Sequence, residues 1–235
     1  MMSSYVDIYN DYPLRCARLW EDFNASADAK NLEVTFMLMC AAGGFATPYE
    51  HLRIQPGQAK ERQGHPAFNN FDQKKYEHSL KKVNSALNGV MAECLLFKDL
   101  HFDRCYYGHA KAISEVRDIA ECRQSGSPRL SDQPARRIIK ALRNAIAHSN
   151  IFAFAGGGSQ DIADLGFFSE VVDSKIRDKK VVLDYEVIVM PVQEFQAFLT
   201  SWFDLLRKAS PKGNHLKLIF SNALETDDEP IASYG

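Results

Sequence analysis

The chain has 235 residues, long enough for one large domain with a sizeable buried core. Apolar residues are 46% and charged residues 25%, the balance of a soluble globular protein. The net charge of −2 argues against a general nucleic-acid coating protein, so any nucleic-acid contact has to be local.

In chain order, the spacing of Leu14, Ala17, Leu19, Trp20 and Phe23 predicts a first helix over 12–29, with Pro13 suited to its start. "NLEVTFMLMCAA", 31–42, reads as a second helix, apolar on nearly every side and hence central. Gly43 and Gly44 interrupt or end it, and Thr47 followed by Pro48 suits a restart. Residues 53–70 are polar and loop-like. Apolar residues in phase from Leu80 to Cys94 predict a helix over 71–100, and 103–123 is read as continuing helically. The loop "SGSPRLSDQP" then leads, through Ser131, Asp132 and Pro134, into a helix over 134–149. Beyond it "IFAFA", "LGFFSEVV" and "KVVLDYEVIVM" are rich in Val, Ile and Phe, which predicts two or three antiparallel strands. Pro191 opens a last long helix with Phe195, Phe198, Leu199 and Trp202 on its core face. Residues 1–220 read as one domain and 221–235 as an acidic, flexible tail.

The helix over 134–149 carries the chemistry. At about 100° per residue, Ile138, Ile139, Leu142, Ala145 and Ile146 share one arc, the core face. Arg136, Arg137, Lys140, Arg143, Asn144, Ala147 and His148 share the other. Arg143 and His148 lie at its two rims, Asn144 is one turn before His148, and Ala147 leaves room between them. These residue types suit RNA cleavage. An imidazole can take a proton from a ribose 2′-hydroxyl or give one to the leaving 5′-oxygen. A guanidinium can hold the phosphate and balance the charge of the transition state. Neither step needs a metal or a cofactor. Asn144 can orient the histidine or the substrate, and Arg136, Arg137 and Lys140 offer a local positive track for RNA. The bland alternative is a solvated helix end, where positive side chains favour the helix dipole.

Two further groupings compete. "RCYYGH" repeats the Arg-to-His spacing with Arg104 and His109 but puts two tyrosines and a glycine between them, and it is set aside as incidental. His101, Cys105 and His109 would share one face of a helix, with Cys94 nearby, a minor reading as a zinc site. Glu33 is a lone acid in the apolar second helix and a candidate support for Arg143. The five cysteines are scattered with no CxxC pair, the N-terminal stretch has no basic region followed by an apolar run, and "VTFMLMCAAGGFA" is too short to span a bilayer. The expected location is cytoplasmic.

"LRNAIAHSNI" resembles the signature of the HEPN superfamily, and "NLEVTFMLMCAAGGFATPYEHL" is similar to the N-terminal region of plasmid- and phage-linked bacterial HEPN proteins. The resemblance implies a mainly α fold: a HEPN-like helical bundle with a small antiparallel β-element before the last long helix. It implies a metal-independent endoribonuclease, as in toxin–antitoxin or defence systems, with Arg143 and His148 catalytic and Asn144 supporting. It further implies RNA as substrate, a homodimer that pairs motif helices around a composite cleft, and an antitoxin protein as a possible partner. The alternative within the resemblance is a non-catalytic module that binds a nucleotide, RNA or a protein.

Overall fold

A computed structural model describes residues 8–46, 81–122, 128–156, 161–173 and 181–209. The loop over 53–70, the restart at Thr47 and the acidic tail lie outside these residues, as does the first third of the helix expected over 71–100.

Helix α1 (Ile8–Asp28) starts before Pro13 and turns through Asn31, at φ 56°, into α2 (Glu33–Ala41). Trp20 stacks on Phe36 where the two helices meet. Helix α2 buries Val34, Met37, Cys40 and Ala41, but Met39 is 68% exposed. It therefore covers the core with one side and is not enclosed. The chain then widens into a π turn, Ala42–Ala46. A Cβ on Gly44 would fall 2.3 Å from Phe203 Cε1, so only glycine lets the last helix approach here. Trp202 Nε1 donates to the Gly44 carbonyl at 3.0 Å, and Phe45 sits edge-on to Phe198 and Trp202.

Two helical expectations in the middle of the chain are corrected. Residues 81–86 are helical, but the chain leaves the helix at Leu87 and passes through short 3-10 turns. Residues 103–123 are not one helix: a 3-10 turn, Phe102–Arg104, is followed by strand β1 (Tyr106–Ala110) and helix α3 (Ile113–Cys122). Adjacent tyrosines and a glycine favour an extended chain over a helix, and β4 supplies the partner that completes the strand.

Helix α4 (Ala135–Ala147) forms as expected, and all five residues of its proposed core face are buried. Its start has no side-chain cap; instead the Ala135 N–H donates to the Gly89 carbonyl at 3.1 Å. Burial of Ile138, Ile139, Leu142 and Ile146 contributes about 2 kcal/mol each relative to exposure. Strands β2 (Ile151–Ala155), β3 (Ile162–Asp173) and β4 (Val181–Pro191) then lead into α5 (Val192–Ala209).

The four strands form one antiparallel sheet in the order β1-β4-β3-β2. This overturns the expectation of a helical bundle carrying a small β-element: the sheet is a full layer, and the fold combines α and β. One face turns Leu165, Phe167, Ile188 and Met190 into the main core with α1, α2, α4 and α5. The other turns Phe168, Val187 and Val189 onto Val116 and Ala120 of α3. Helix α4 is thus held between the sheet and the π turn.

Candidate functional site at the end of α4

The end of α4 is fixed by its backbone. His148 is the last, capping residue and donates its N–H to the Asn144 carbonyl at 3.0 Å. Ser149 adopts the left-handed conformation at φ 56°. The Asn150 N–H then returns to the Ala145 carbonyl at 2.8 Å, and that of Ser149 to Ile146 at 3.3 Å. This is the Schellman pattern, with serine where glycine is usual at a cost of roughly 1 kcal/mol. Asn150 also accepts from the Phe168 N–H at 3.1 Å, which stitches the turn to β3. His148 is exposed beside this turn.

Arg143 and Asn144 are half-buried one turn earlier. Asn144 accepts from Arg143 Nη1 through Oδ1 and donates from Nδ2 to Ser169 Oγ at 3.2 Å. The side chain of Asn144 therefore braces the arginine against the sheet, and its bond to His148 runs through the backbone alone. An open cleft of about 350 Å³ lies between the helix end and β3, lined by Asn144, His148, Asn150, Ser169, Glu170 and Val172. Strand β3 runs on here beyond Phe167, where its pairing with the start of β2 ends. The cleft is large enough for a nucleotide-sized group and is lined mainly by hydrogen-bonding side chains.

The basic residues earlier on α4 have different surroundings. Arg136 donates to the Asn84 carbonyl at 3.1 Å and to Asn88 Oδ1 at 2.9 Å. Arg137 pairs with Glu186 Oε1 and lies 6.0 Å over the Tyr107 ring. Tyr107 donates to the same Glu186 oxygen at 2.9 Å. Burial, and then the charge of Glu186, push the Tyr107 phenol above its ordinary value. Burial opposes the charge on Arg137, but the hydrogen bond and charge of Glu186 outweigh it and raise its pKa. Lys140 is exposed and makes no hydrogen bond or ion pair among the described residues. Glu33 is half-buried in the first turn of α2, where a carboxylate favours the helix dipole, and α4 packs instead against the π turn that follows α2.

The competing groupings come apart. With 106–110 a strand, His101, Cys105 and His109 do not share a helix face. His101 Nδ1 lies 3.1 Å from the buried Glu194, and Arg104 lies 3.9 Å from the same carboxylate. His109 lies 3.2 Å from Asp184. Burial, then the charges of Glu194, Asp103 and Asp164, push the Cys105 thiol up to about 12. Among the described residues no three such side chains converge as metal ligands.

With this geometry in place, the chain can be compared with known proteins. A family model described as HEPN pEK499 p136 matches residues 2–212. The chain belongs to this HEPN family. No curated protein and no solved structure matches it. Membership bears out the resemblance read from "LRNAIAHSNI", 142–151, and associates the chain with nuclease or RNA-binding function. No helix among the described residues is long and apolar enough to cross a membrane.

Sequence reasoning missed Ser169, Glu186 and Tyr107, which tie α4 to the sheet. A signal was present for the first two: a serine within "LGFFSEVV" and a glutamate within "VVLDYEVIVM" are polar residues on apolar strands. A buried polar residue of this kind requires a partner.

Proposed function

We propose that this HEPN-family chain is a metal-independent endoribonuclease whose site is the helix end at Arg143, Asn144 and His148. The observation that carries the reading is the placement of His148 on the wall of an open polar cleft, one turn from an arginine braced by Asn144. In the proposed reaction the ribose 2′-oxygen attacks phosphorus and the bond to the 5′-oxygen breaks. His148 is the proton-transfer group, as base toward the 2′-hydroxyl or, protonated, as acid toward the 5′-oxygen. Arg143 balances the charge on the non-bridging oxygens. Lys140, with no partner of its own among the described residues, is a supporting phosphate contact; Arg136 and the half-exposed Arg137 are further candidates.

A homodimer that pairs α4 with α4 completes the proposal, with Ala147 allowing close approach of the partner helix. A toxin or defence role under control of an antitoxin protein fits this chemistry. The test is the end group. Single-stranded RNA incubated with the protein in EDTA yields fragments ending in 2′,3′-cyclic phosphate, and a 2′-deoxy substitution at the cut site stops the cut. Fragments ending in 3′-hydroxyl, or cleavage abolished by EDTA, overturn the proposal.

A second reading, a non-catalytic HEPN module that binds a protein, is favoured by one observation: Arg136 and Arg137 already hold protein groups, which leaves less of the basic side of α4 for RNA. It gives binding of a protein partner without RNA turnover.

A further inference from the structure

A serine in the middle of an apolar strand invites an explanation. Ser169 is 3% exposed, on the face of β3 that turns toward α4, and stands directly opposite Glu186 of β4. Its hydroxyl receives the amide of Asn144 at 3.2 Å, and the other end of that amide receives Arg143. We propose, resting on the role of Arg143 given above, that Ser169 is a positioning residue that fixes the Arg143 guanidinium through the amide of Asn144.

A guanidinium only donates, so Arg143 requires the oxygen end of the Asn144 amide. The nitrogen end is then directed away from Arg143 and needs an acceptor. A serine hydroxyl supplies one; an apolar side chain at 169 supplies none. With alanine at 169 the amide loses its second anchor, turns among its rotamers, and no longer presents Oδ1 steadily to Arg143. The sheet reinforces the arrangement at a second point. Two turns before Asn144, Arg137 pairs with Glu186, the direct cross-strand neighbour of Ser169. Helix α4 is thereby held to two adjacent strands by two polar contacts, and Ser169 is the one next to the cleft.

The effect is on geometry. A misplacement of about 1 Å at a reacting centre costs roughly 100-fold in rate, so Ser169→Ala is expected to lower kcat/KM for RNA about 10- to 100-fold, mainly in kcat. Ser169→Thr keeps the hydroxyl and retains most of the activity.

The test reads Arg143 directly. In the uncleaving, RNA-free protein with labelled arginine, hindered rotation of the Arg143 guanidinium is followed by NMR. Hindered rotation is expected in the wild type and in Ser169→Thr, and averaging in Ser169→Ala and Asn144→Ala. Ser169→Ala adds nothing further when combined with Asn144→Ala, in the spectrum or in the cleavage rate. An unchanged Arg143 signal in Ser169→Ala overturns the inference, as does a full additional loss in the double variant. The NMR readout is independent of turnover, so a failure of the ribonuclease proposal, seen as cleavage undiminished in Arg143→Ala, is distinguishable from a failure here.

Discussion

Arg137 separates two accounts of the basic side of α4: an RNA contact, as its place in the sequence suggests, or a strut, as its geometry indicates. Glu186 is 7% exposed, and its Oε1 takes both the Tyr107 hydroxyl and Arg137. Arg137→Ala leaves the carboxylate buried with the phenol alone. Breaking a fully buried pair costs about 3–5 kcal/mol. The Arg137 side chain is 44% exposed, so solvent screening reduces the pair's share to about 1–2 kcal/mol. Loss of the guanidinium above the Tyr107 ring adds roughly 0.5 kcal/mol. A total near 2 kcal/mol lowers Tm by about 4–8 °C in a chain of this size. Thermal unfolding followed by circular dichroism measures it. Glu186→Gln in the same chain removes the stranded charge while still accepting from Tyr107, and restores part of the loss. If Arg137→Ala melts with the wild type while the salt dependence of RNA binding drops by about one phosphate contact, the strut account is refuted and Arg137 is an RNA ligand.

Gly44→Ala is expected to destabilise the protein by about 1–3 kcal/mol, because the added Cβ meets Phe203, itself buried, and lies 2.9 Å from Cys16 Cβ. A melt indistinguishable from the wild type would show that α5 yields without strain. At alkaline pH, Cys40 and Cys105, ordinarily at 9.0, are both pushed up to about 12, chiefly by burial, and Tyr107 is raised above 10.0. Each folded-state pKa exceeds the unfolded one, so the native state holds these protons more tightly. Their stabilisation is complete below the unfolded values and is lost as pH rises above about 9. Tm measured from pH 8 to 11 should fall with rising slope, and Cys40→Ala should flatten the fall; an equally steep fall in that variant counts against the assignment.

The sequence was most informative where periodicity had a long run. The two faces of α4 were legible residue by residue, because thirteen residues of helix sample each face several times. The core face of α5 and the strand character of the three segments between these helices were equally plain. What escaped is chiefly long-range. Residues 106–110 become a strand by pairing with β4, nearly eighty positions later, and no local pattern of five residues announces that. Without β1 the remaining strands read as a small insertion in a helical bundle; with it they form a four-stranded layer. The same pairing governs the site. Asn144 stands one turn before His148 in the helix, a spacing that suits orienting the histidine or the substrate, yet its side chain turns to Ser169 on β3. Arg137 lies on the polar arc and stays part-exposed, but Glu186 and Tyr107 converge beneath it, which no local spacing announces. Local spacing singles out Arg143 and His148 as candidates; the sheet adds Ser169, which accepts from the Asn144 amide that in turn accepts from Arg143.

Arg143 and His148 carry the proposed reaction, and the decisive measurement is the rate of RNA cleavage in EDTA for the wild type, Arg143→Ala and His148→Ala, each shown by its melt to be folded. Removing a proton-transfer group or a charge-balancing donor typically costs about 100-fold or more in rate. The account requires a loss of that size in both variants, with cyclic-phosphate ends from the wild type. Cleavage by either variant at the wild-type rate contradicts it.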